Sequence, residues 1–501
     1  MNRLIMKNIN YILIVFITLS LSSCMDEFLK ESPEDRFVIN NFYSSQSDAE
    51  AAVAAVYEKL YNLYERNMFI LNELPADTEK NGLGMPNQYL QNLEFLRHTS
   101  ENQFTREMWL QCYSGIARAN TAIINIPSIE MDDQIKARLI GEAKFLRALY
   151  YFNLVRFYGD VPMILKLESV KDALGGRVPA AEVYAQIITD LSDAEASLPA
   201  VYSSNNIGRV TKGAAKILLG KVYLTQQEFS KSAEKLAEVI NNEAEYGYGL
   251  HENFRDNWNP ATETGKEMVL SVEFMDPPGN GNGAMVLQGP KYSLPGGFAV
   301  LGLVNSNEAD IPTRDLYDRY TEDDERKAGT FRTDFVSLID GSIHTSTIPI
   351  YTKYWEENEP NPNNSDANMH VIRYADALLM YAEALNEIGQ SEPAAMQLNR
   401  IMERAYNSST HNVSGMPADE LRELIYEERN KELAMEGHRW FDLVRTGRFI
   451  QRMKDHAAYE ASVAETNKVE IAQNIKDYMV LMPIPQREID LNPALTQNPG
   501  Y

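Results

Sequence analysis

A cluster of polar and aromatic residues near the C-terminus, in the stretch "MEGHRWFDLVR", has the residue types that acid–base catalysis uses. Imidazole and carboxylate groups transfer protons near neutral pH, so a catalytic cluster could form from His438, Arg439, Trp440 and Asp442. The stretch just before it, "YEERNKE", has the dense mixed charges of a salt-bridged helix face. We therefore predict a structural role, in which Trp440 and Phe441 pack while the His and Arg side chains bind neighbouring carboxylates.

No other stretch has the spacing of a known catalytic or metal motif. No helix is predicted after the "GNGNG" segment at 279–283, and the segment lies in no βαβ pattern, so we predict that it is not a phosphate-binding loop. The seven histidines form neither H-E-x-x-H nor a paired metal spacing, and G-x-S-x-G is absent. A carboxylate pair for glycoside hydrolysis could not be recognised by spacing, because such pairs meet only in the fold. We predict no catalytic residue, no metal ligand and no cofactor.

The first of two cysteines, Cys24, follows an apolar stretch that is typical of an export signal. "YILIVFITLSL" has eleven residues, whereas a bilayer-spanning helix needs about 20. Arg3 and Lys7 precede it, as in a secretory signal peptide. The ending "LSSC" resembles a bacterial lipobox, in which cleavage occurs before the cysteine and a lipid is attached to its sulfur. An ordinary cleaved signal is the alternative. We predict that Cys24 is a lipid anchor at the membrane surface.

The second cysteine, Cys112, then has no intrachain partner for a disulfide. It lies in the helical pattern "MWLQCYSGIARANTAII", so we predict a buried structural residue and not a catalytic thiol. Asp26 and Glu27, just after Cys24, resemble the surface-export signal of Bacteroidetes lipoproteins. That resemblance implies a protein in the outer membrane that faces the cell exterior.

The charge of the chain limits its partners. The formal net charge is −24, which repels nucleic acid phosphates and excludes a DNA or RNA partner. An acidic surface also favours a neutral ligand over an anionic one. The 27 Tyr, 18 Phe and 4 Trp residues supply core packing first, but exposed aromatic rings are also what neutral sugars stack on.

Paired helices are predicted on both sides of an irregular middle region. "TKGAAKILLGKVYLTQQEFSKSAEKLAEVI" contains Leu219, Gly220 and Tyr223 in the L-G-x-x-Y order of a tetratricopeptide unit. "HVIRYADALLMYAEALNEIGQSEPAAMQLNRIMERA" forms two helices around a turn at Gly389. These units are not in strict tandem, so we predict a mainly α, tetratricopeptide-like scaffold of helix pairs with a large loop-rich irregular lobe inserted.

The lobe is recognised because the helical periodicity of apolar residues is absent and turn-forming residues are frequent, as in "FMDPPGNGNGAMVLQGPKYSLPGGF". A loop region this long is usually functional or disordered, and its interleaved aromatic residues argue against disorder. The predicted organisation is a signal peptide at 1–23, a tether at 24–36 and a first scaffold part at 37–245. The lobe follows at 246–365, and a second scaffold part with the C-terminal segment lies at 366–501.

Five segments, in order along the chain, are similar to the SusD/RagB family of Bacteroidetes surface lipoproteins. They are "GEAKFLRALYYFNLVRFYGDVP", "TKGAAKILLGKVYL", "VIRYADALLMYAEALNEIG", "ERNKELAMEGHRWFDLVRTG" and "LMPIPQREIDLNPALTQNPGY". The resemblance implies helix pairs of tetratricopeptide type that support a loop-rich lobe. It also implies capture of oligosaccharides at the cell surface, beside a SusC-like TonB-dependent transporter, by a protein that is not an enzyme. Two alternatives remain. One is a surface glycosidase, and the other is a transporter-associated lipoprotein that binds only peptide or protein.

The shared segments belong to the scaffold, so the resemblance assigns no ligand-binding residue. Sugar binding needs aromatic planes flanked by polar side chains, and two regions offer them. The first is the loop "PADTEKNGLGMPNQYLQNLEF", with Asp77, Asn81, Asn87 and Tyr89. The second is the lobe, with Trp258, Tyr292 and Phe298.

Overall fold

The computed structural model describes residues 42–82, 86–166, 172, 174–203, 206–275, 281–463 and 468–501. Cys24, the signal peptide and the tether lie outside the described residues, so their assignments stay predictions. Within the described ranges, no helix is both long enough and apolar enough to cross a membrane.

The first part of the scaffold is a series of helices. Their bounds are α1 (Gln46–Asn62), α2 (Met68–Glu73), α3 (Gln88–Glu94), α4 (Gln103–Asn125), α5 (Asp133–Tyr158), α6 (Ala180–Ser197), α7 (Lys212–Thr225), α8 (Phe229–Ile240) and α9 (Glu243–Tyr246). Helix α1 begins at a capping box, because Ser45 Oγ accepts from the Asp48 amide and the Asp48 carboxylate accepts from the Ser45 amide.

Helices α7 and α8 form the predicted tetratricopeptide-like pair. A Cβ atom on Gly220 would lie 2.6 Å from Leu236 Cγ, so only glycine allows this close approach. Ser232 Oγ donates to the Gly220 carbonyl oxygen at 2.8 Å, which satisfies a buried hydroxyl at the same crossing. The second scaffold part consists of α13 (Tyr374–Glu387), α14 (Ser391–Tyr406), α15 (Ala418–Glu432), α16 (Arg439–Arg445), α17 (Phe449–Ser462), α18 (Val469–Asn474) and α19 (Gln486–Leu491).

The lobe contains short helices and two-stranded antiparallel sheets. The elements between the two scaffold parts are α10 (Ala284–Gln288), α11 (Arg314–Tyr317), α12 (Glu325–Thr330), β2 (Met268–Val272), β3 (Asp310–Pro312), β4 (Phe331–Val336) and β5 (Ile343–Tyr351). Strand β1 (Glu79–Asn81) of the first scaffold part pairs with β3, and β6 (Met369–Arg373), just before α13, pairs with β2. Strands β4 and β5 form a hairpin. Helix α10 begins directly after Gly283, so the prediction that no helix follows the "GNGNG" segment was wrong. The sheets therefore join the lobe to both scaffold parts, and the mainly α class is confirmed.

A buried ionic network holds the lobe against the second scaffold part. Arg373, at the end of β6, is 1% exposed and bonds the carboxylates of Glu267, Glu432 and Glu436 at 2.5–3.1 Å. Lys353 of the lobe donates to Glu436 Oε1 at 2.7 Å. Burial of so many charges is tolerated only because each of these cations faces carboxylates in hydrogen-bond geometry.

Candidate ligand-binding surface

The pairing of β1 with β3 brings the two predicted ligand regions to one edge of the lobe. Asn81 lies opposite Asp310 in the ladder, and the Gly82 amide donates to the Ala309 carbonyl oxygen at 2.7 Å. A Cβ atom on Gly82 would lie 1.9 Å from the Glu308 carbonyl oxygen, so this approach requires glycine. The start of the first loop is therefore fixed against the lobe.

Glu308 also fixes the segment that contains Tyr292. Its Oε2 atom accepts from the Lys291 amide at 2.6 Å, the Ser293 amide at 2.9 Å and Ser293 Oγ at 2.7 Å. Glu308 has a φ of 49°, which an L-residue adopts at a cost and which the surrounding contacts must hold. The backbone amides on both sides of Tyr292 are therefore bonded to Glu308, and the Tyr292 side chain is 57% exposed.

Tyr89 projects from α3, the helix that packs beside β1. The Asn87 side chain accepts from the Tyr89 amide at 2.8 Å and so caps α3, while Asn102 Nδ2 donates to the Tyr89 carbonyl oxygen at 3.0 Å. Glu94, in the same helix, accepts from the Asn81 amide at 3.1 Å. The Tyr89 side chain is 39% exposed, and its backbone is held at both ends.

Phe298 is half-buried and lies above a small apolar core within the lobe. It begins a 3₁₀ turn, Phe298–Leu301, and packs against a cluster that includes Leu294, Leu301 and Trp355. We refer to Asn81, Asn87, Tyr89, Tyr292 and Phe298 together as the tyrosine surface.

Asp77 and Trp258 are buried, which corrects the expectation that they face a ligand. Asp77 is 1% exposed and accepts from Arg439 at 2.6 and 2.8 Å and from Arg452 at 2.5 Å. Desolvation would raise the pKa of Asp77, but these two guanidinium groups hold it well below its usual range. Trp258 is 1% exposed, with the Lys353 ammonium 4.6 Å from its ring centroid.

Two carboxyl groups lie buried beneath the tyrosine surface, on the paired strands that support it. Burial raises the pKa of Glu79 well above its usual value, and the nearby Asp310 charge raises it further. Burial also raises the pKa of Asp310, to about 6. Each negative charge opposes ionisation of the other carboxyl group in this buried site, so the two groups titrate as a pair. The pair is inaccessible to a ligand.

Two features of this region were not predicted from the sequence. Glu308 could not have been found, because its role depends on a positive φ and on contacts across the lobe. The β4–β5 hairpin could have been predicted, because Asp340 and Gly341 form a D-G turn between strand-forming residues. The hairpin places the exposed side chains of Val336, Leu338 and Ile339 beside the Phe298–Leu301 turn, where the Leu338 amide donates to the Leu301 carbonyl oxygen at 2.9 Å.

The polar cluster near the C-terminus is structural. Trp440 and Phe441 are 1% and 6% exposed, so their predicted packing is confirmed. Arg439 bonds Asp77, as expected of an arginine there. The Nδ1 atom of His438 lies 3.3 Å from Lys221 Nζ, and the carboxylates of Asp376 and Asp442 interact with the ring through their charge. Burial, together with the Lys221 charge, lowers the pKa of His438 to about 3.

Cys112 is fully buried, as predicted, and burial raises the pKa of its thiol far above the neutral range. No group of three or more His, Cys, Asp or Glu side chains with metal-binding geometry occurs in the described part of the chain.

The fold and this surface define a helix-pair scaffold protein in which the first scaffold part and the irregular lobe each present an exposed tyrosine ring to solvent. Residues 318–501 match the model of the SusD family, and residues 27–224 match a model described as "Starch-binding associating with outer membrane". A SusD-like protein of Formosa agariphila is 30% identical, over 97% of this chain and 98% of that protein. The chain therefore belongs to the SusD family, and the predicted resemblance is confirmed.

Two further relatives extend this comparison. The starch-binding protein SusD of Bacteroides thetaiotaomicron is 24% identical, over 87% of this chain and 86% of that protein. A solved structure of a laminarin-binding SusD-like protein superimposes with a TM-score of 0.77 at 28% identity, covering 92% of this chain and 100% of that one. The tetratricopeptide-like scaffold expected from the helix-pair pattern thus agrees with the folds of the relatives.

Proposed function

We propose that this chain is a non-catalytic oligosaccharide-binding protein of the outer membrane, and that the tyrosine surface is its ligand site. One observation carries the proposal. Tyr89 and Tyr292 are the two aromatic residues among the exposed large apolar side chains of the described residues. Tyr89 is on the helix that packs beside β1, and Tyr292 is on the segment that Glu308, two residues before β3, holds by hydrogen bonds. Exposed rings on a rigid backbone are suited to stacking against the C–H face of a sugar.

Polar groups near the two rings suit the hydroxyl rim of a sugar. Asn81 is half-exposed, and Lys291 Nζ lies 5.3 Å from the Tyr292 ring centroid. The net charge of −24 favours a neutral glycan over an anionic one. The names of two relatives, one starch-binding and one laminarin-binding, support a neutral glucan as the first ligand to test.

Replacing Tyr89 and Tyr292 together with Ala should weaken oligosaccharide binding at least tenfold. Each stacked aromatic contact contributes about 0.5–1.5 kcal/mol, and about 1.4 kcal/mol corresponds to a factor of ten. Isothermal titration calorimetry with starch-derived and laminarin-derived oligosaccharides measures the change.

Tyr223→Ala is a matched control, because Tyr223 is a half-exposed tyrosine on scaffold helix α7. It should bind the same oligosaccharide as tightly as the unmodified protein does. If the double variant retains full affinity, the ligand site lies elsewhere in the chain. Wild-type affinity should also be insensitive to salt, since a neutral ligand forms no ion pairs.

A surface glycosidase is the first alternative, and a protein that binds only peptide or protein is the second. The carboxyl pair on the paired strands β1 and β3, Glu79 and Asp310, is buried and so cannot reach a glycosidic bond. Prolonged incubation of purified protein with a labelled oligosaccharide tests the first alternative, since release of shorter products would contradict the proposal. Absence of any glycan binding would favour the second.

We also propose a SusC-like TonB-dependent transporter as the partner, because a tethered binder cannot import what it captures. The expected result is co-purification with a large outer-membrane barrel protein after mild detergent extraction of cells grown on the inducing glycan. Repeated recovery of the protein alone from such cells would count against this partner. Because the ligand would pass to the transporter, cells that lack the protein should grow poorly on that glycan.

A further inference from the structure

A cavity of about 280 Å³ lies in the scaffold, away from the tyrosine surface. Helices α5, α6, α7 and α16 form most of its wall. Apolar side chains make much of the lining, including Val155, Leu224, Met380, Phe441 and Leu481. Ligand sites usually have volumes of roughly 300–1,000 Å³, so an occupant of this cavity must be small and partly apolar.

Four cations also line this cavity, and three of them have carboxylate partners. Lys221, Arg429 and Arg445 each contact at least one carboxylate at 2.9 Å or less. The pairs are Lys221–Asp376, Arg429–Asp376, Arg429–Asp442, Arg445–Asp442 and Arg445–Glu383. Three carboxylates therefore balance three cations, with none left over.

Arg156, on α5, is the fourth cation. It forms no direct ion pair with a carboxylate of the described residues, although the charges of Asp442 and Asp376 are close enough to raise its pKa. Its guanidinium carbon lies 3.9 Å from the ring centroid of Phe152 and 3.6 Å from that of Phe441. Nε donates to the Phe152 carbonyl oxygen at 3.1 Å and Nη2 donates to Asn153 Oδ1 at 2.6 Å. These contacts fix the side chain and leave Nη1 without a hydrogen bond in the described structure.

We propose that this cavity binds a small carboxylate with an apolar body, and that Arg156 binds the carboxylate group. The local excess of one positive charge is unusual in a chain whose net charge is −24. Arg156 is half-buried at the wall of the cavity, and a ligand carboxylate could form with its Nη1 atom the charge-assisted hydrogen bond that no carboxylate of the described residues supplies. The apolar wall then covers the rest of the ligand. This site is independent of the proposed glycan function.

The pKa values of the neighbouring groups agree with a positive local potential. Burial lowers the pKa of Arg156 to about 10, and the side chain stays charged at neutral pH. Burial also lowers the pKa of Lys221, to about 8, because the attraction of Asp376 is partly opposed by Arg429 and Arg156. A bound carboxylate should raise both values.

Benzoate is a suitable probe, and benzamide is its uncharged counterpart of nearly the same shape. We expect the detergent-solubilised full chain to bind benzoate at least tenfold more tightly than benzamide at pH 7, as measured by calorimetry. Arg156→Gln should lower the affinity for benzoate at least tenfold, whereas Arg156→Lys should retain part of it. Benzamide affinity should change little in either variant.

Ala180→Leu keeps Arg156 intact and fills the cavity, since Ala180 lines it at the start of α6. Ala181→Leu is the matched control, because the next residue of the same helix is exposed. The first variant should abolish benzoate binding and the second should not. Equal affinities for benzoate and benzamide, equal effects of the two Leu variants, or no benzoate binding at about 10 mM would each overturn the proposal.

Discussion

Replacing Arg373 with Met should lower the free energy of unfolding by about 3–5 kcal/mol, which is the typical cost of breaking a buried ion pair. Arg373 is fully enclosed by the lobe and the second scaffold part, and it faces three carboxylates. The methionine side chain fills a similar volume but leaves buried negative charge without its main partner. Urea unfolding measures the effect as a lower midpoint concentration.

Arg97→Met is the matched control, because Arg97 pairs with Glu470 where both side chains are 42–51% exposed. An exposed pair contributes about 0–1 kcal/mol, so this variant should unfold close to the unmodified protein. Equal urea midpoints for the Arg373 and Arg97 variants would show that the buried network does not hold the lobe to the scaffold.

The same network makes the unmodified protein sensitive to acid. Burial would raise the pKa of Glu432, but the charges of Arg404 and Arg373 outweigh it and lower that pKa to about 2. Because the folded-state pKa is below the ordinary value of 4.5, the stabilisation is complete above about pH 4.5 and is lost as the pH falls toward 2. In Arg373→Met the pKa of Glu432 should be higher, so the difference in stability between the two proteins should shrink in acid.

Replacing Cys24 with Ala should release the protein from the membrane fraction almost completely. Without its thiol the chain cannot receive the lipid, and each acyl CH₂ group contributes about 0.8 kcal/mol to membrane binding. Two or three acyl chains therefore account for nearly all of the expected attachment. Fractionation of cells, followed by a high-salt wash and immunoblotting, measures the protein that remains with the outer membrane.

Cys112→Ala is the control for this experiment, since it removes the other cysteine, which is buried in the scaffold. That variant should stay with the membrane and should be labelled by a radioactive or clickable fatty acid. If Cys24→Ala still fractionates with the outer membrane after the salt wash, the lipobox interpretation is wrong.

Local sequence signals were sufficient for the scaffold. The capping residue Ser45, the apolar spacing of the helices and the Gly220 contact each act over a few residues or one helix pair. Such signals predict the helices correctly because an amphipathic helix buries its apolar face whichever way the neighbouring helices are arranged. The mainly α class was predicted from the helix-pair pattern and the SusD family from five similar segments, and both predictions are confirmed. The domain boundaries, including the lobe at 246–365, stay predictions.

The candidate site could be predicted only in part. Tyr89 and Tyr292 are exposed, but nothing in their local sequence distinguishes them from Trp258, which is buried between the lobe and the second scaffold part. Asp77 lies in a polar loop sequence, yet its carboxylate bonds Arg439, 362 positions away along the chain. Residue type predicts what a side chain is able to bind, whereas long-range packing determines which partner reaches it.

The sequence by itself determined the helix pairs, the family and the predicted lipid anchor, because each depends on residues that are close together in the chain. Only the tertiary structure decided which aromatic rings face solvent, since exposure depends on the β1–β3 pairing and on Glu308. It also decided that Arg156 forms no direct ion pair with a carboxylate of the described residues while its three cationic neighbours do. Charge balance is a property of a three-dimensional neighbourhood, and the linear order of residues does not contain it.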